Sequence, residues 1–240
     1  MTVTTGTWWF SAVITLGFAG FGRAVRGVTT SGAIAGGMVC FVLLRAAGWG
    51  GFAALCAVFL LTWFATSAGY GRKQSFGIAE PSSGRDAQQV LANLGVASFC
   101  AVLYALLQDH RLLLAAGAAL AEAAADTVSS EIGQARGGTP RLLTNGRPVA
   151  IGSDGAVSLA GTAAGIAAAL VIAGTCAFSR LFSWRSAPAC AIAAVLGMFA
   201  DSLLGATLER AGKLSNNAVN FLSTALAAGM AILGGVLRLY

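Results

Sequence analysis

Three stretches of the sequence carry acidic and amide side chains inside otherwise apolar runs. The first contains Glu122, Asp126 and Glu131, the second contains Asp201, and the third is NNAVN at positions 216–220. An ionisable group inside a bilayer costs about 2.5–3.5 kcal/mol on insertion scales, so it indicates a functional site by default. Mg²⁺ binds carboxylate and amide oxygens together with the phosphates of a substrate. We therefore predict a catalytic magnesium site made by Asp126, Glu131 and Asp201.

Basic and polar side chains near these stretches have the chemistry to bind a nucleotide and a phosphate-bearing lipid. Arginine and lysine neutralise phosphate, and glycines near a helix start offer backbone N–H groups to it. Two simpler interpretations remain open, namely hydrogen bonding between helices and arginines that only set topology. The predicted binding residues are Lys73, Arg85, Gln89, Asn93, Ser129, Ser130, Arg141, Thr144, Arg147, Gly152, Gly155, Asn216, Asn217 and Asn220.

The composition of the chain is that of a membrane protein. Of 240 residues, 57% are hydrophobic and only 10% are charged, and the mean hydropathy is +0.77. An ordinary soluble domain has about 25% charged residues. This difference excludes a soluble enzyme, a disordered protein and a nucleic-acid binder with an exposed basic face. The apolar runs are long and unbroken, which favours helices over a transmembrane barrel. We predict an all-α polytopic membrane helix bundle, with residues 1–240 in one domain.

About eight transmembrane helices are predicted, within a range of seven to nine. The apolar runs place them at residues 7–22, 29–45, 50–68, 89–107, 111–129, 158–178, 187–206 and 217–237. Two long loops, 69–88 and 131–157, are rich in glycine and proline, which excludes a continued helix. Faces rich in glycine and alanine permit close helix packing and a homodimer.

The distribution of basic residues favours one orientation in the membrane. The loops after the odd-numbered spans hold ten Lys and Arg residues, which are Arg23, Arg26, Arg72, Lys73, Arg85, Arg136, Arg141, Arg147, Arg210 and Lys213. The other side holds five, which are Arg45, Arg111, Arg180, Arg185 and Arg238. Because basic residues concentrate in cytoplasmic loops, both long loops and the active site are expected to face the cytoplasm of a bacterial inner membrane.

Seven short motifs, in order along the chain, resemble one family of integral membrane proteins over residues 28–225. That family includes the human transmembrane protein 19 and the plant and cyanobacterial phytyl-phosphate kinases, and some prokaryotic members are described as cytidylyltransferase-like. The family often has a lysine near Thr66, whereas the first lysine here is Lys73. The motifs are SGAIAG (31–36), GRDAQQVLAN (84–93), ADTVSSEIG (125–133), PRLLT (140–144), PVAIGSDGAVSLAGT (148–162), DSLLGATLE (201–209) and NNAVNFLST (216–224).

The resemblance implies a magnesium-dependent kinase that phosphorylates a prenyl monophosphate, such as phytyl phosphate, to the diphosphate. CTP, or another nucleoside triphosphate, would supply the phosphoryl group. The expected partners are therefore the prenyl phosphate, the nucleotide and membrane lipids, and not nucleic acid. Two alternatives remain open: a CTP-dependent cytidylyltransferase that makes a CDP-lipid, and a transporter of lipid phosphates, because intramembrane acidic residues are also a feature of transporters.

Overall fold

The computed structural model describes residues 7–136 and 138–236, and these residues form a bundle of eight long helices. Six of them, α3 and α5 to α9, are long and apolar enough to cross a membrane, and α2 is a shorter apolar helix. The chain is thus a polytopic helical membrane protein, as predicted. Arg238, counted above, lies outside the described residues. The long helices are α1 (Thr7–Ala24), α2 (Thr30–Ala46), α3 (Gly48–Ser67), α5 (Ala87–Leu107), α6 (Arg111–Arg136), α7 (Leu159–Phe178), α8 (Ala187–Leu204) and α9 (Asn216–Val236).

The connections add four short elements, one of which is a 3₁₀ turn, Trp184–Ser186, directly before α8. Helix α4 (Tyr70–Ser75) follows α3, and strands β1 (Arg141–Leu142) and β2 (Ala156–Val157) pair antiparallel between α6 and α7. Both long connections lie at the same end of the bundle, because each follows an odd number of long helices. Three long helices precede the first connection and five precede the second. We call this the loop-rich end of the bundle.

Each predicted span overlaps one helix, and the largest difference is at the end of α6. The sequence placed a loop from residue 131, whereas α6 continues to Arg136. The residues from 129 to 136 contain no proline and several good helix formers, so the helix extends beyond the apolar run. As a consequence, Ser129, Ser130 and Glu131 lie on the same helix as Asp126.

Helix α6 is the centre of the bundle. It contacts α3, α5, α7, α8 and α9. Its apolar stretch is 89% buried, whereas the corresponding stretches of the other five spanning helices are 33–39% buried. Alanines occupy most of its middle, and such small side chains let neighbouring helices approach closely. The acidic residues Glu122, Asp126 and Glu131 therefore lie in the interior and not against lipid.

Capping residues fix where three helices begin at the loop-rich end. Thr29 and Ser158 cap α2 and α7, and each side chain accepts a hydrogen bond from the backbone N–H three residues further on. Asp86 and Gln89 form a reciprocal capping box at the start of α5, with both hydrogen bonds at 2.9 Å. Each cap satisfies helix N–H groups that would otherwise lack a partner. The residues next to these starts are therefore held in defined positions.

Helix α8 ends in a π-helical turn, Gly205–Glu209, a feature that occurs frequently at functional sites. The loop before α7 packs directly against this turn at Gly155. A Cβ atom added to Gly155 would lie 2.1 Å from the Ala206 nitrogen, and the backbone there has φ +68°. Only glycine fits such a contact without movement. The close approach brings Asp154 and Glu209 to one cavity.

Candidate functional site

A polar cavity of about 290 Å³ lies at the loop-rich end. It is bounded by the start of α5, the second half of α6, the C-terminal end of α8 with its π-helical turn, and the start of α9. The loop before α7 covers it. We call it the polar cavity. Most of the predicted site residues line it, and these are Arg85, Gln89, Asn93, Asp126, Ser129, Ser130, Glu131, Gly152, Gly155, Asp201, Asn216 and Asn220.

Two carboxylates from different helices meet in this cavity. Asp126 of α6 and Asp201 of α8 both line it, close enough for the two carboxyl groups to interact electrostatically. Ser223 donates to Asp201 Oδ2 at 3.2 Å. With the Asn220 amide nitrogen facing the same carboxylate, its N–H group donates to Asp201 Oδ2 at 3.2 Å and its oxygen accepts from Asn93 at 3.1 Å. Helices α5, α6, α8 and α9 are thereby joined through one polar network around Asp201.

The network fits magnesium through two carboxylates and not three. Within the residues 7–136 and 138–236, no three His, Cys, Asp or Glu side chains converge on a point that a metal ion could occupy. Magnesium is commonly held by one or two protein carboxylates together with substrate phosphates. Asp126 and Asp201 meet that requirement, with the Asn220 amide beside them. The predicted third ligand, Glu131, has other partners.

Glu131 forms a buried ion pair with Lys73. Lys73 Nζ lies 2.5 Å from Glu131 Oε2, and the lysine side chain is fully buried. The same ammonium donates to the carbonyl oxygens of Thr66 (2.6 Å) and Ala65 (3.3 Å), while the Thr66 hydroxyl donates to Glu131 Oε1 at 3.1 Å. A lysine ammonium has three donors, and all three are engaged. Lys73 thus contacts Thr66, the position near which the family often has its lysine, and it lies outside the polar cavity.

The Lys73–Glu131 pair predicts a measurable loss of stability when it is broken. Lys73→Met leaves the Glu131 carboxylate buried without its cation, and such a loss costs about 3–5 kcal/mol. We expect a lower midpoint of thermal unfolding in detergent. The double variant Lys73→Met with Glu131→Gln removes both charges and is expected to recover most of the loss. Equal instability of the single and double variants would contradict the ion-pair explanation.

Of the described residues that line the polar cavity, Arg85 is the one with a cationic side chain. Its Nη1 donates to Thr127 at 3.3 Å. Its backbone is fixed to the turn between α1 and α2, because its N–H group donates to Gly27 at 3.1 Å and its carbonyl accepts from Thr29 at 2.9 Å. The guanidinium therefore projects from an anchored backbone and keeps several donors for a phosphate.

Five predicted binding residues lie outside the polar cavity. Lys73 is the buried lysine described above. Arg141, Thr144 and Arg147 are exposed on and after β1, and Arg141 donates to the Gly146 carbonyl at 2.8 Å. Asn217 faces a separate shallow groove beside α5 and α9. In this structure the loop arginines therefore do not line the polar cavity, although their basic character still fits the predicted topology.

Several residues of the cavity were not predicted from the sequence. Glu80 and Thr127 line it, and Glu80 Oε1 accepts from the Gln89 side chain at 2.9 Å. Asp154 also lines it. Glu80 precedes Pro81 in a loop rich in polar residues, so the sequence offered no periodic signal that separates it from other loop residues. Thr127 directly follows Asp126 in the sequence, and this adjacency is the one feature that could have indicated that Thr127 lies at the site.

The fold and the site together define a polytopic helical membrane protein with a buried carboxylate and amide centre. The chain belongs to the DUF92 family of integral membrane proteins, whose model matches residues 13–228. This membership agrees with the seven motifs found in the sequence.

Three relatives illustrate the spread of the family. A membrane protein of Synechocystis sp. is 35% identical over 196 residues, which are 80% of this chain and 76% of the relative. The chloroplast protein VTE6 of Arabidopsis thaliana is 31% identical over 220 residues, 87% of this chain and 66% of the relative. A membrane protein of Methanocaldococcus jannaschii is 32% identical over 213 residues, 88% and 84% of the two chains. No solved structure matches the chain.

Proposed function

We propose that this protein is a prenyl-phosphate kinase that uses a nucleoside triphosphate, CTP by preference, and Mg²⁺. An oxygen of the lipid monophosphate attacks the γ-phosphorus of CTP. A new P–O–P bond forms, the bond between the γ-phosphorus and the β–γ bridging oxygen breaks, and CDP leaves. The observation that carries the proposal is the meeting of Asp126 and Asp201 in a cavity that Arg85 also lines.

Each part of the cavity matches a need of phosphoryl transfer, which depends on positioning and charge stabilisation more than on covalent chemistry. Magnesium held by Asp126 and Asp201 would neutralise charge on the transferred group. Arg85 supplies a planar fork of donors that suits phosphate oxygens. Asn93 lies close by as a candidate partner for ribose or base, whereas both polar atoms of the Gln89 side chain are already bonded to Asp86 and Glu80. No strong general base is required, because a phosphate monoester already carries a nucleophilic oxygen at neutral pH.

A cytidylyltransferase would use nearly the same residues, and the products separate the two reactions. The experiment supplies the purified protein in detergent with Mg²⁺, farnesyl or phytyl monophosphate, and CTP labelled at the γ position. Label in a lipid diphosphate, with CDP released, supports the kinase. Label only in pyrophosphate, with a CDP-lipid formed, overturns it in favour of the cytidylyltransferase. Absence of turnover with several nucleotides and chain lengths also overturns it, and transport of lipid phosphate is then the next assay. A prenyl alcohol serves as the control acceptor and should receive no label.

The proposal includes an orientation in which the loop-rich end faces the cytoplasm of a bacterial inner membrane. It rests on the ten-to-five distribution of Lys and Arg residues. Arg147 and Arg185 are both exposed. Arg147 lies in the connection before α7 and Arg185 in the connection after it, so the two residues lie at opposite ends of the bundle. We expect a membrane-impermeant maleimide to label Arg185→Cys in intact cells and Arg147→Cys only after lysis.

The unmodified chain is the control for this labelling. Of its five cysteines, four are buried and Cys56 is half-buried, so little background reaction is expected. The reverse pattern, with Arg147→Cys labelled in intact cells, would reverse the orientation. A homodimer, which the small-residue faces permit, is testable on the same preparations by cross-linking in the membrane.

A further inference from the structure

An apolar cavity of about 280 Å³ lies next to the polar cavity, among α1, α2, α3 and α5. We call it the apolar cavity. Glu80, Arg85, Gln89 and Asn93 line both cavities, so the two cavities adjoin at the start of α5. A ligand with a charged head and an apolar tail could therefore occupy both at once, with its head beside Arg85.

Apart from the charged residues Arg26, Glu80 and Arg85, the walls of the apolar cavity are mostly hydrocarbon, and several of their polar side chains already have partners. Trp63 donates its ring N–H to the Val25 carbonyl at 3.3 Å, and Thr62 and Ser67 donate their hydroxyls to carbonyls of their own helix at 3.1 and 2.8 Å. The Tyr70 hydroxyl donates to the Glu80 carbonyl at 3.2 Å. These polar atoms are already engaged, so the walls favour an apolar ligand over a nucleotide.

The apolar cavity is also long. Its lining residues on α3 extend from Ser67, at the loop-rich end, to Leu55. At about 1.5 Å per residue this is roughly 18 Å along the helix. Phe18 of α1 and Ala123 of α6 line it as well, and α6 is the central helix. The cavity therefore leads away from the phosphate-binding residues toward the interior of the bundle.

We propose that the apolar cavity holds the isoprenoid chain of the lipid monophosphate and that Gly36 limits the chain length it accepts. The inference rests on the proposed function, because it takes the same lipid phosphate as the ligand. The chain enters past Arg85, whose guanidinium holds the phosphate, and extends between α2 and α3. Helix α2 contributes Gly32, Ala33 and Gly36 to the wall.

Gly36 is the position at which a side chain would obstruct the isoprenoid chain. It lines the cavity one helical turn beyond Gly32, and a Cβ atom added there meets nothing within 4 Å. Gly32, in contrast, lies so close to the Arg85 carbonyl that a Cβ atom would be 2.2 Å from it. The first atom of a side chain at position 36 would therefore meet no protein atom, which makes Gly36→Leu a suitable probe of the cavity.

The first test compares chain-length preference. The purified protein is assayed with geranyl and geranylgeranyl monophosphate under the conditions given above. Gly36→Leu is expected to lower kcat/KM for the long chain relative to the short one about tenfold or more, and Gly36→Ala by less. Gly20→Leu is the matched control, because Gly20 is exposed on α1, has open space around it and does not line the cavity. An unchanged preference in Gly36→Leu would overturn the inference.

The second test reads binding without turnover. A geranylgeranyl monophosphate carrying a diazirine at the end of its chain is photolysed with the unmodified protein, and the labelled peptides are identified. Label on the α3 segment around Val58 and Phe59, suppressed by excess unlabelled geranylgeranyl monophosphate but not by phosphatidylglycerol, supports the inference. Label confined to lipid-facing residues, or displaced equally by phosphatidylglycerol, overturns it. Labelling in the cavity without any phosphoryl transfer would overturn the proposed function alone and leave the binding site intact.

Discussion

Asp201→Asn is expected to lower the rate of phosphoryl transfer about 10³-fold. Asp201 lies in the network that joins four helices: its carboxylate accepts hydrogen bonds from Ser223 and Asn220, and it lines the polar cavity together with Asp126. A bound metal ion contributes several kcal/mol of charge stabilisation, and each 1.36 kcal/mol is a factor of ten in rate. Asparagine keeps the size of the side chain but loses the negative charge that binds Mg²⁺. The measurement is the initial rate of prenyl diphosphate formation as a function of Mg²⁺ concentration.

Asp109→Asn is the matched control for this change. Asp109 lies in the loop at the opposite end of the bundle, where the neighbouring Arg111 holds the pKa of its carboxyl below its usual value. The same chemical substitution there should leave turnover unchanged. Both variants should elute from size exclusion like the unmodified protein. A rate for Asp201→Asn within a few-fold of the unmodified protein would remove Asp201 from the metal site.

The helical architecture and the centre of the site were predictable from the sequence, since both depend on local pattern. Long apolar runs fix the helices, and the polar interruptions of those runs must face the interior because lipid cannot solvate them. Asp126, Asp201 and Asn220 interrupt three such runs at the same depth. Topology places all three at the same end of the bundle, and the mutual packing of α6, α8 and α9 brings them to one cavity.

The direction of the long basic side chains was not predictable in this way. A count of arginines and lysines reports which side of the membrane a loop lies on, but not where each side chain points. Lys73 lies on a six-residue helix that turns it back onto α3 and α6, where Glu131 and two carbonyls bind it. Arg141 and Arg147 lie in the same basic loop but remain exposed. Only tertiary packing separates Arg85, which lines the site, from these neighbours.

Arg85→Ala is expected to lower kcat/KM for the lipid phosphate about 10³-fold, the lower end of the range for arginines that stabilise phosphoryl transfer. Among the described residues lining the polar cavity, it alone carries a positive charge. Its backbone is fixed by Gly27 and Thr29 and its side chain donates a single 3.3 Å bond to Thr127, so truncation should leave the fold intact. The measurement is steady-state kinetics with the lipid phosphate and CTP varied separately.

Two companion variants separate a specific contact from general charge. Arg85→Lys keeps the charge but loses the bidentate fork, and we expect it to recover only part of the lost rate. Arg141→Ala removes an arginine from the same end of the bundle but outside the cavity, and it should behave like the unmodified protein. Because Arg85 lines both cavities, its loss should raise KM for the lipid phosphate more than for CTP. Equal effects of Arg85→Ala and Arg141→Ala would show that the basic end acts only through its overall charge, and would contradict a phosphate contact at Arg85.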